Sequence, residues 1–379
     1  MSAGTTVMVF GLGDVGGWVL EYLARQESIG TLVGCDKRDD WGRKKVDCAA
    51  VGSGHMGYSK KLFFEQIDVY DVDRTAEIIK KYNPDLIYSC MTLLSWTKPT
   101  FLPKDVKVKV QSIVGPILPL HLTLPYKLAQ AMKKAGSSAI FLNNSWADFV
   151  NPVLYKAGYP VLVGGGGNLD NVAGEIRRKV SISEEVPIKD ITLYLIFEHS
   201  VNTFGTRTGI PYFCKVMIGD KNITNKFDVD SLISDRLLAT RPEWIMWHHA
   251  PIVASSSVKH IMAISNDTNE FGHAPGPNGL IGGYPVRIGA GGVKVELPEE
   301  ITMEQAIKIN TDGGKYEGVE EIKGDGTVVF TDEAHKIAKE VLGLDYKELR
   351  LEDTEKRAEE ILSAYTKLAA KYDVPFTPY

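Results

Sequence analysis

The short apolar run Thr6–Phe10 leads directly into the glycine cluster Gly11-Leu12-Gly13-Asp14-Val15-Gly16-Gly17, and Trp18, Val19, Leu20, Tyr22 and Leu23 follow at helical spacing. A second apolar run, Thr31–Cys35, ends at Asp36. Strand, glycine turn, helix and strand make one βαβ unit, and few other folds accept that order. In such a turn the first glycine permits the bend and the second lets a pyrophosphate approach the backbone. The third lets helix and strand pack closely. Gly11, Gly13, Asp14, Val15 and Gly16 are therefore candidate cofactor contacts, and Asp36, closing the next strand, is the candidate acceptor for an adenosine ribose. A carboxylate there repels a 2′-phosphate and favours NAD; Lys37, Arg38 and Arg43 beside it attract that phosphate and keep NADP as the alternative.

The alternation continues with Phe63–Ile67, a helix around Thr75–Tyr82, the strand Asp85–Cys90, a helix over Leu118–Ala135 and the strand Ser138–Leu142. This predicts an α/β fold, a Rossmann-type doubly wound parallel sheet over residues 1–150. Cys90, with Met91 and Thr92 after it, lies where a strand end would face the cofactor. From residue 151 to residue 379 the pattern changes. Strand-like stretches at 190–220 and 285–297 predict an α+β second, substrate-binding domain. It includes a helical C-terminal extension, Asp332–Tyr372, read as one or two amphipathic helices packed on that domain.

Composition narrows the partners. With 43 Lys+Arg against 48 Asp+Glu and no long basic run, nucleic acid is not expected. The four cysteines form no CxxC pair and no metal-ligand spacing, so neither a disulfide framework nor a metal site is expected. No stretch reaches membrane-spanning length and no signal-peptide pattern opens the chain. A cytoplasmic homodimer or homotetramer acting on a small molecule is the expectation.

Two further segments carry candidate chemistry, Gly164–Asp170 (GGGGNLD) and Phe197–Ser200 (FEHS). His199 ends an apolar strand where an interior would open into a cleft. If Asp170 reached one of its ring nitrogens, it would fix the tautomer and stabilise the protonated ring. An imidazole so held can move the proton that must travel at oxygen as a hydride moves at carbon.

The ordered set of motifs resembles the NAD-dependent lactate and malate dehydrogenases. GLGDVG and Asp36 look like that family's fingerprint and ribose acid, and Gly42–Gly54 resembles its following helix. Asn144, ahead of the Ala157-Gly158 pair, is similar to the substrate-contacting Asn that precedes a Ser-Gly pair in that family. Leu162–Asp170 and Glu198–Ser200 resemble its Gly-rich approach to Leu-Asp and its Glu-His-Gly, with His199 following Asp170 in the same order. Pro285–Leu297 is similar to its carboxy-terminal hairpin. The resemblance spans residues 5 to 300 and implies an Asp170–His199 relay, Asn144 near both substrate and nicotinamide, and Ser256 as a small hydroxyl near substrate.

The departures matter equally. The stretch matching the family's arginine-bearing mobile loop, Ser95–Phe101 with Trp96, has no arginine. Ala173 stands where the resemblance implies a carboxylate-clamping Arg, and alanine cannot replace a bidentate fork. Arg207 adds one guanidinium after His199 and is a candidate substrate contact. These differences point to a dehydrogenase acting on a substrate other than lactate or malate, such as a larger 2-hydroxy acid, a sugar acid or an amino-substituted compound. An NAD- and metal-dependent glycosidase on the same fold, using Cys90 or Cys214, and a non-catalytic dinucleotide-binding protein are the rival readings. His248 and His249, read as strand neighbours facing opposite ways, are not expected to share a metal. Phe271–Gly283 reads as a long Gly/Pro loop with His273 as a second candidate.

Overall fold

The computed structural model describes residues 4–95, 97–235 and 242–374; Trp96 and the closing residues 375–379 lie outside the described residues, as do the side chains of residues 242–248, His248 among them. The first half alternates β1 (Thr5–Phe10), α1 (Asp14–Leu23), β2 (Ile29–Asp36), α2 (Asp39–His55), β3 (Lys61–Gln66), α3 (Val72–Tyr82), β4 (Leu86–Ser89), α4 (Lys104–Gln111), α5 (Val114–Ile117), α6 (Pro119–Ala135), β5 (Ile140–Asn143), α7 (Ala147–Lys156) and β6 (Val163–Gly164). The strands form one parallel sheet in the order β3-β2-β1-β4-β5-β6. Val7, Met8, Val9 and Phe10 are all buried because helices cover both faces, which is why β1 reads as an unbroken apolar run. The strand order reverses at β1, so the crevice for a ligand opens at the carboxyl ends of β1 and β4. The boundary expected at residue 150 falls inside α7, because Val163–Gly164 still pairs with β5 as the sixth strand.

The second half adds α8 (Gly167–Glu184), β7 (Ile191–Ile196), α9 (His199–Phe204), β8 (Phe213–Ile218), β9 (Lys221–Asn222), α10 (Val229–Ser234), α11 (Pro242–Ser265), β10 (Glu270–Pro275), β11 (Gly283–Gly289) and β12 (Gly292–Val295). Two antiparallel sheets result, β7-β8-β9 and β10-β11-β12. Helix α11 corrects the strand reading of His248–His249: Ala254, Ser257, Val258 and Ile261 are buried at helical spacing, and Pro251 inside the helix masks that period in the sequence. The expected loop Phe271–Gly283 starts instead as strand β10, whose Gly272, His273 and Ala274 pair with Val286, Pro285 and Tyr284.

The C-terminal segment comprises α12 (Met303–Gly314), β13 (Val319–Ile322), β14 (Val328–Phe330), α13 (Asp332–Leu342), β15 (Glu348–Leu349) and α14 (Thr354–Lys371). Helix α12 packs on α9 and β7 of the second domain, but β14, α13 and α14 pack on the first domain rather than the second. Ala334, Ala338, Ile361 and Tyr365 share a buried cluster with Val106, Val110, Ile117 and Leu120 of α4–α6. The apolar faces of α4–α6 would otherwise lie open to water; covering them is the physical reason for the departure from the expected placement.

Candidate active site

At the amino end of the crevice, Gly11 adopts φ +88° and its N–H donates to the Cys35 carbonyl at 2.8 Å. A Cβ on Gly16 would lie 1.9 Å from the Gly11 carbonyl oxygen, whereas one on Gly13 would meet nothing within 4 Å. Gly13 therefore presents open backbone. No side chain caps the amino end of α1, where Asp14 and Val15 begin the helix, so its first N–H groups are available to an anion. These features fit a pyrophosphate. Cys90 supports the turn from below: its thiol donates to the Gly11 carbonyl at 3.1 Å, and burial pushes its pKa up to about 12.

Asp36 is already engaged. One carboxylate oxygen accepts the Leu12 N–H at 2.8 Å, and the other accepts the Arg38 N–H at 2.9 Å and Nε at 3.1 Å. Burial acts to raise the Asp36 pKa; the Arg38 hydrogen bonds and charge, with the Leu12 amide, outweigh it and hold the carboxyl below its ordinary range. The Arg38 guanidinium also lies over the Trp41 ring at 5.1 Å, and Trp41 Nε1 donates to the Leu12 carbonyl at 2.7 Å. Lys37, Arg38 and Arg74 line a cavity of about 550 Å³ beside Ile67, Asp68 and Asp71 at the end of β3.

The other end of the crevice is built by the residues following β4, β5 and β6. After β4, Met91 packs on Gly11, and the Thr92 hydroxyl lies 3.2 Å from His121 Nδ1. His121, on α6, also reaches the Ser145 hydroxyl at 3.0 Å, and burial pushes its pKa down to about 3, so the ring is neutral. After β5, Asn143 braces the turn by donating to the Ser145 carbonyl and Asn151 Oδ1, both at 3.0 Å. Asn144 Oδ1 is buried without a hydrogen-bond partner, 3.0 Å from where a Gly165 side chain would begin. A buried carboxamide oxygen left unpaired is costly unless a ligand completes it. Trp146 follows with φ +42°, a left-handed conformation that costs a bulky residue energy. It sets the ring edge-on to His121 at 4.3 Å and to His199 at 5.5 Å.

His199 begins α9, which Glu198 caps by accepting the Ser200 N–H at 2.8 Å. The imidazole Nδ1 lies 2.6 Å from Glu317 Oε1, and the Thr203 hydroxyl donates to the same oxygen at 2.9 Å. Glu317, Glu198 and Asp148 are buried together there. Burial pushes all three carboxyls up; repulsion from Glu317 and Asp148 adds to it for Glu198, and repulsion from Asp148 for Glu317. Glu317 comes from the turn after α12, outside the stretch that sequence motifs cover.

The expected Asp170–His199 hydrogen bond is not formed. Asp170, on α8, faces α11: Lys259 Nζ lies 2.7 Å from both its oxygens, and the Ser256 hydroxyl donates to it at 2.7 Å. Burial would raise the Asp170 pKa, but Lys259 foremost, then His260 and His273, hold it well below the carboxylate range. Ser256 is thus bound to Asp170. Arg207 is 66% exposed and reaches Ser231 and Asp235, so no described contact brings it to His199 or Asn144. His273, fully buried beside Asp170, is pushed down to about 3. Among the described residues no group of three or more His, Cys, Asp or Glu is arranged to hold a metal ion.

The sequence reading missed Trp146, His121, Lys259 and Glu317. Lys259 carried a signal, since it stands three positions after Ser256 and shares its face once the segment is seen as helical. Glu317 carried none.

No protein-family model matches the chain, and no curated protein matches it in sequence. Solved structures do. The malate dehydrogenase from Picrophilus torridus superposes with a TM-score of 0.60 at 19% identity, over 82% of this chain and 97% of that one. The lactate dehydrogenase MGS-M5 from a Medee basin deep-sea metagenome library gives 0.55 at 17%, over 83% and 97%. The chain has the lactate and malate dehydrogenase fold. The malate dehydrogenase from Aeropyrum pernix gives 0.57 at 14%, over 81% and 95%. No helix among the described residues is long and apolar enough to cross a membrane.

Proposed function

We propose that this chain is a nicotinamide-dependent oxidoreductase that moves a hydride between the cofactor and a hydroxyl-bearing carbon of a small substrate other than lactate or malate. The observation that carries the reading is a carboxylate-bound, partly exposed imidazole, His199, together with the orphaned Asn144 amide, beside a glycine turn shaped for a dinucleotide. The open backbone of Gly13 and the N–H groups of Asp14–Gly16 would hold the pyrophosphate, Asp36 with Lys37 and Arg38 the adenosine end, and Met91, Thr92 and Asn144 the nicotinamide side. When bound, the cofactor supplies the hydride acceptor. His199 Nε2, which makes no hydrogen bond to a described residue, takes the hydroxyl proton as the C–H electron pair leaves and the C=O bond forms. Asn144 orients the substrate oxygen.

No arginine stands at position 173, and none occurs in Ser95–Phe101. The forks that the resemblance implies for gripping a small carboxylate are therefore missing from those two places, which supports a different substrate. The reading includes a cytoplasmic homo-oligomer. The test is a panel of hydroxy compounds with NAD and NADP, followed by absorbance of the reduced nicotinamide. His199→Asn should lower turnover by at least about 100-fold while cofactor binding is kept. Full turnover of malate or lactate by the wild type, or unchanged turnover by the variant, would refute the proposal.

A further inference from the structure

We infer that the acid positioning the His199 imidazole comes from the C-terminal segment: Glu317, not Asp170, orients the ring and fixes its tautomer. This rests on His199 being the acid/base group of the reading above. Four observations converge on it. Glu317 Oε1 lies 2.6 Å from Nδ1, within the range of a charge-assisted hydrogen bond. That oxygen also accepts from the Thr203 hydroxyl, one helical turn along α9, so it is an acceptor from both sides and favours the tautomer with the proton on Nδ1. Nε2 is then the nitrogen left with a lone pair.

The chain is also shaped to deliver this side chain. Gly313 lets α12 approach α9 so closely that a Cβ there would lie 2.7 Å from the Glu198 Cβ, and the Ser200 hydroxyl ties the two by donating to the Gly313 carbonyl at 2.9 Å. Gly318, with φ +86°, turns the chain immediately after Glu317, where a Cβ would meet Ala334 at 2.5 Å. Finally, the alternative acid is already occupied, since Lys259 and Ser256 take both oxygens of Asp170.

The electrostatics follow from this placement. The groups facing His199 are Glu317, Glu198 and Asp148, all buried, and His121, which burial keeps neutral. A buried carboxyl is a reluctant anion, and Asp148 raises the cost for Glu317 while the Thr203 hydroxyl and Glu198 offset part of it by hydrogen bonding. In alcohol oxidation the proton arriving at Nε2 leaves the Nδ1–H on the ring, and the imidazolium is stabilised against Glu317.

The test uses the full-length protein with ¹⁵N-labelled histidine, the His199 resonances being assigned by difference from His199→Asn. In Glu317→Gln the carboxylate acceptor at Nδ1 is lost, so both ring ¹⁵N resonances of His199 should shift from those of one Nδ1-protonated tautomer to those of a mixture. Asp170→Asn should leave both unchanged, and Glu317→Asp should reverse part of the shift. With a substrate in hand, the acidic limb of kcat for oxidation should move to lower pH in Glu317→Gln while KM changes little. Should Glu317→Gln not fold, Thr203→Val and Glu317→Asp carry the test through smaller shifts of the same resonances. A shift in Asp170→Asn, or no shift in any Glu317 or Thr203 variant, overturns the inference. These resonances report positioning even where no turnover is found, so failure here is separable from failure of the proposed reaction.

Discussion

Replacing Lys259 by Met removes the lysine bound to Asp170 while keeping most of the side-chain volume. Lys259 Nζ sits 2.7 Å from both carboxylate oxygens; Asp170 is 7% exposed and Lys259 28%. Leaving one partner of a buried ion pair uncompensated costs about 3–5 kcal/mol. Lys259 is partly solvated, the Ser256 hydroxyl remains, and Arg177 lies 3.9 Å away, so about 2 kcal/mol is the expected loss. For a domain of this size that is ~4–8 °C in apparent Tm, read by calorimetry at neutral pH. The sign with pH follows from linkage. The Asp170 pKa is depressed in the folded state, so the pair's stabilisation is complete above the unfolded value, about 3.9, and is lost as pH falls through the folded value. Acid should therefore narrow the gap between wild type and variant below about pH 4. His260 and His273, kept neutral down to about 4 and about 3, add acid lability to both proteins. The double variant Asp170→Asn/Lys259→Met should lose less than the sum of the single changes. A loss below ~0.5 kcal/mol, or a gap constant from neutral pH to pH 3, would show that Asp170 has another counter-ion and that the reasoning is wrong.

Two further outcomes test the cofactor end. Gly13→Ala should fold with unchanged Tm, because its Cβ meets nothing within 4 Å, yet weaken dinucleotide binding at least ~10-fold by fluorescence titration; Gly16→Ala, with a 1.9 Å approach, should instead lose stability. Arg38→Ala removes the guanidinium that neutralises Asp36, so NADPH should bind ~10-fold more weakly while NADH binds no worse; equal losses for both would place Arg38 outside the ribose site.

The first domain was legible because its signals are local. The turn at Gly11–Gly16 and the acid at Asp36 sit inside one βαβ unit, and buried parallel strands appear as apolar runs whatever surrounds them. The same holds for His199 and Asn144, which stand at strand ends. What the sequence did not disclose is which acid meets which base. Asp170 and His199 are separated only by the rest of α8 and by β7, yet they do not pair. Glu317 instead reaches His199 from the far side of β8 to α12, and Lys259 reaches Asp170 from α11. Spacing along the chain does not encode such pairings. They depend on close approach of whole elements, here through Gly313 and Gly318 on one side and the face of α11 on the other. Helix α11 was also misread locally, since its two tryptophans, two adjacent histidines and Pro251 blur the helical period.

The two unexpected pairings are physically linked. An aspartate whose oxygens are both taken by a lysine is held well below the carboxylate range and has little proton affinity left to share with an imidazole. Once Lys259 neutralises Asp170, an oriented imidazole needs another acceptor, and near it the first two domains offer Glu198, spent on capping α9, and Asp148. The segment beyond residue 300 supplies that acceptor and covers α4–α6 with the same stretch of chain. A deletion that removed it would therefore expose apolar surface and also leave Nδ1 without its carboxylate. If His199 is the acid/base group proposed above, the C-terminal segment is part of that site rather than an appendage, since Glu317 is the carboxylate at its Nδ1.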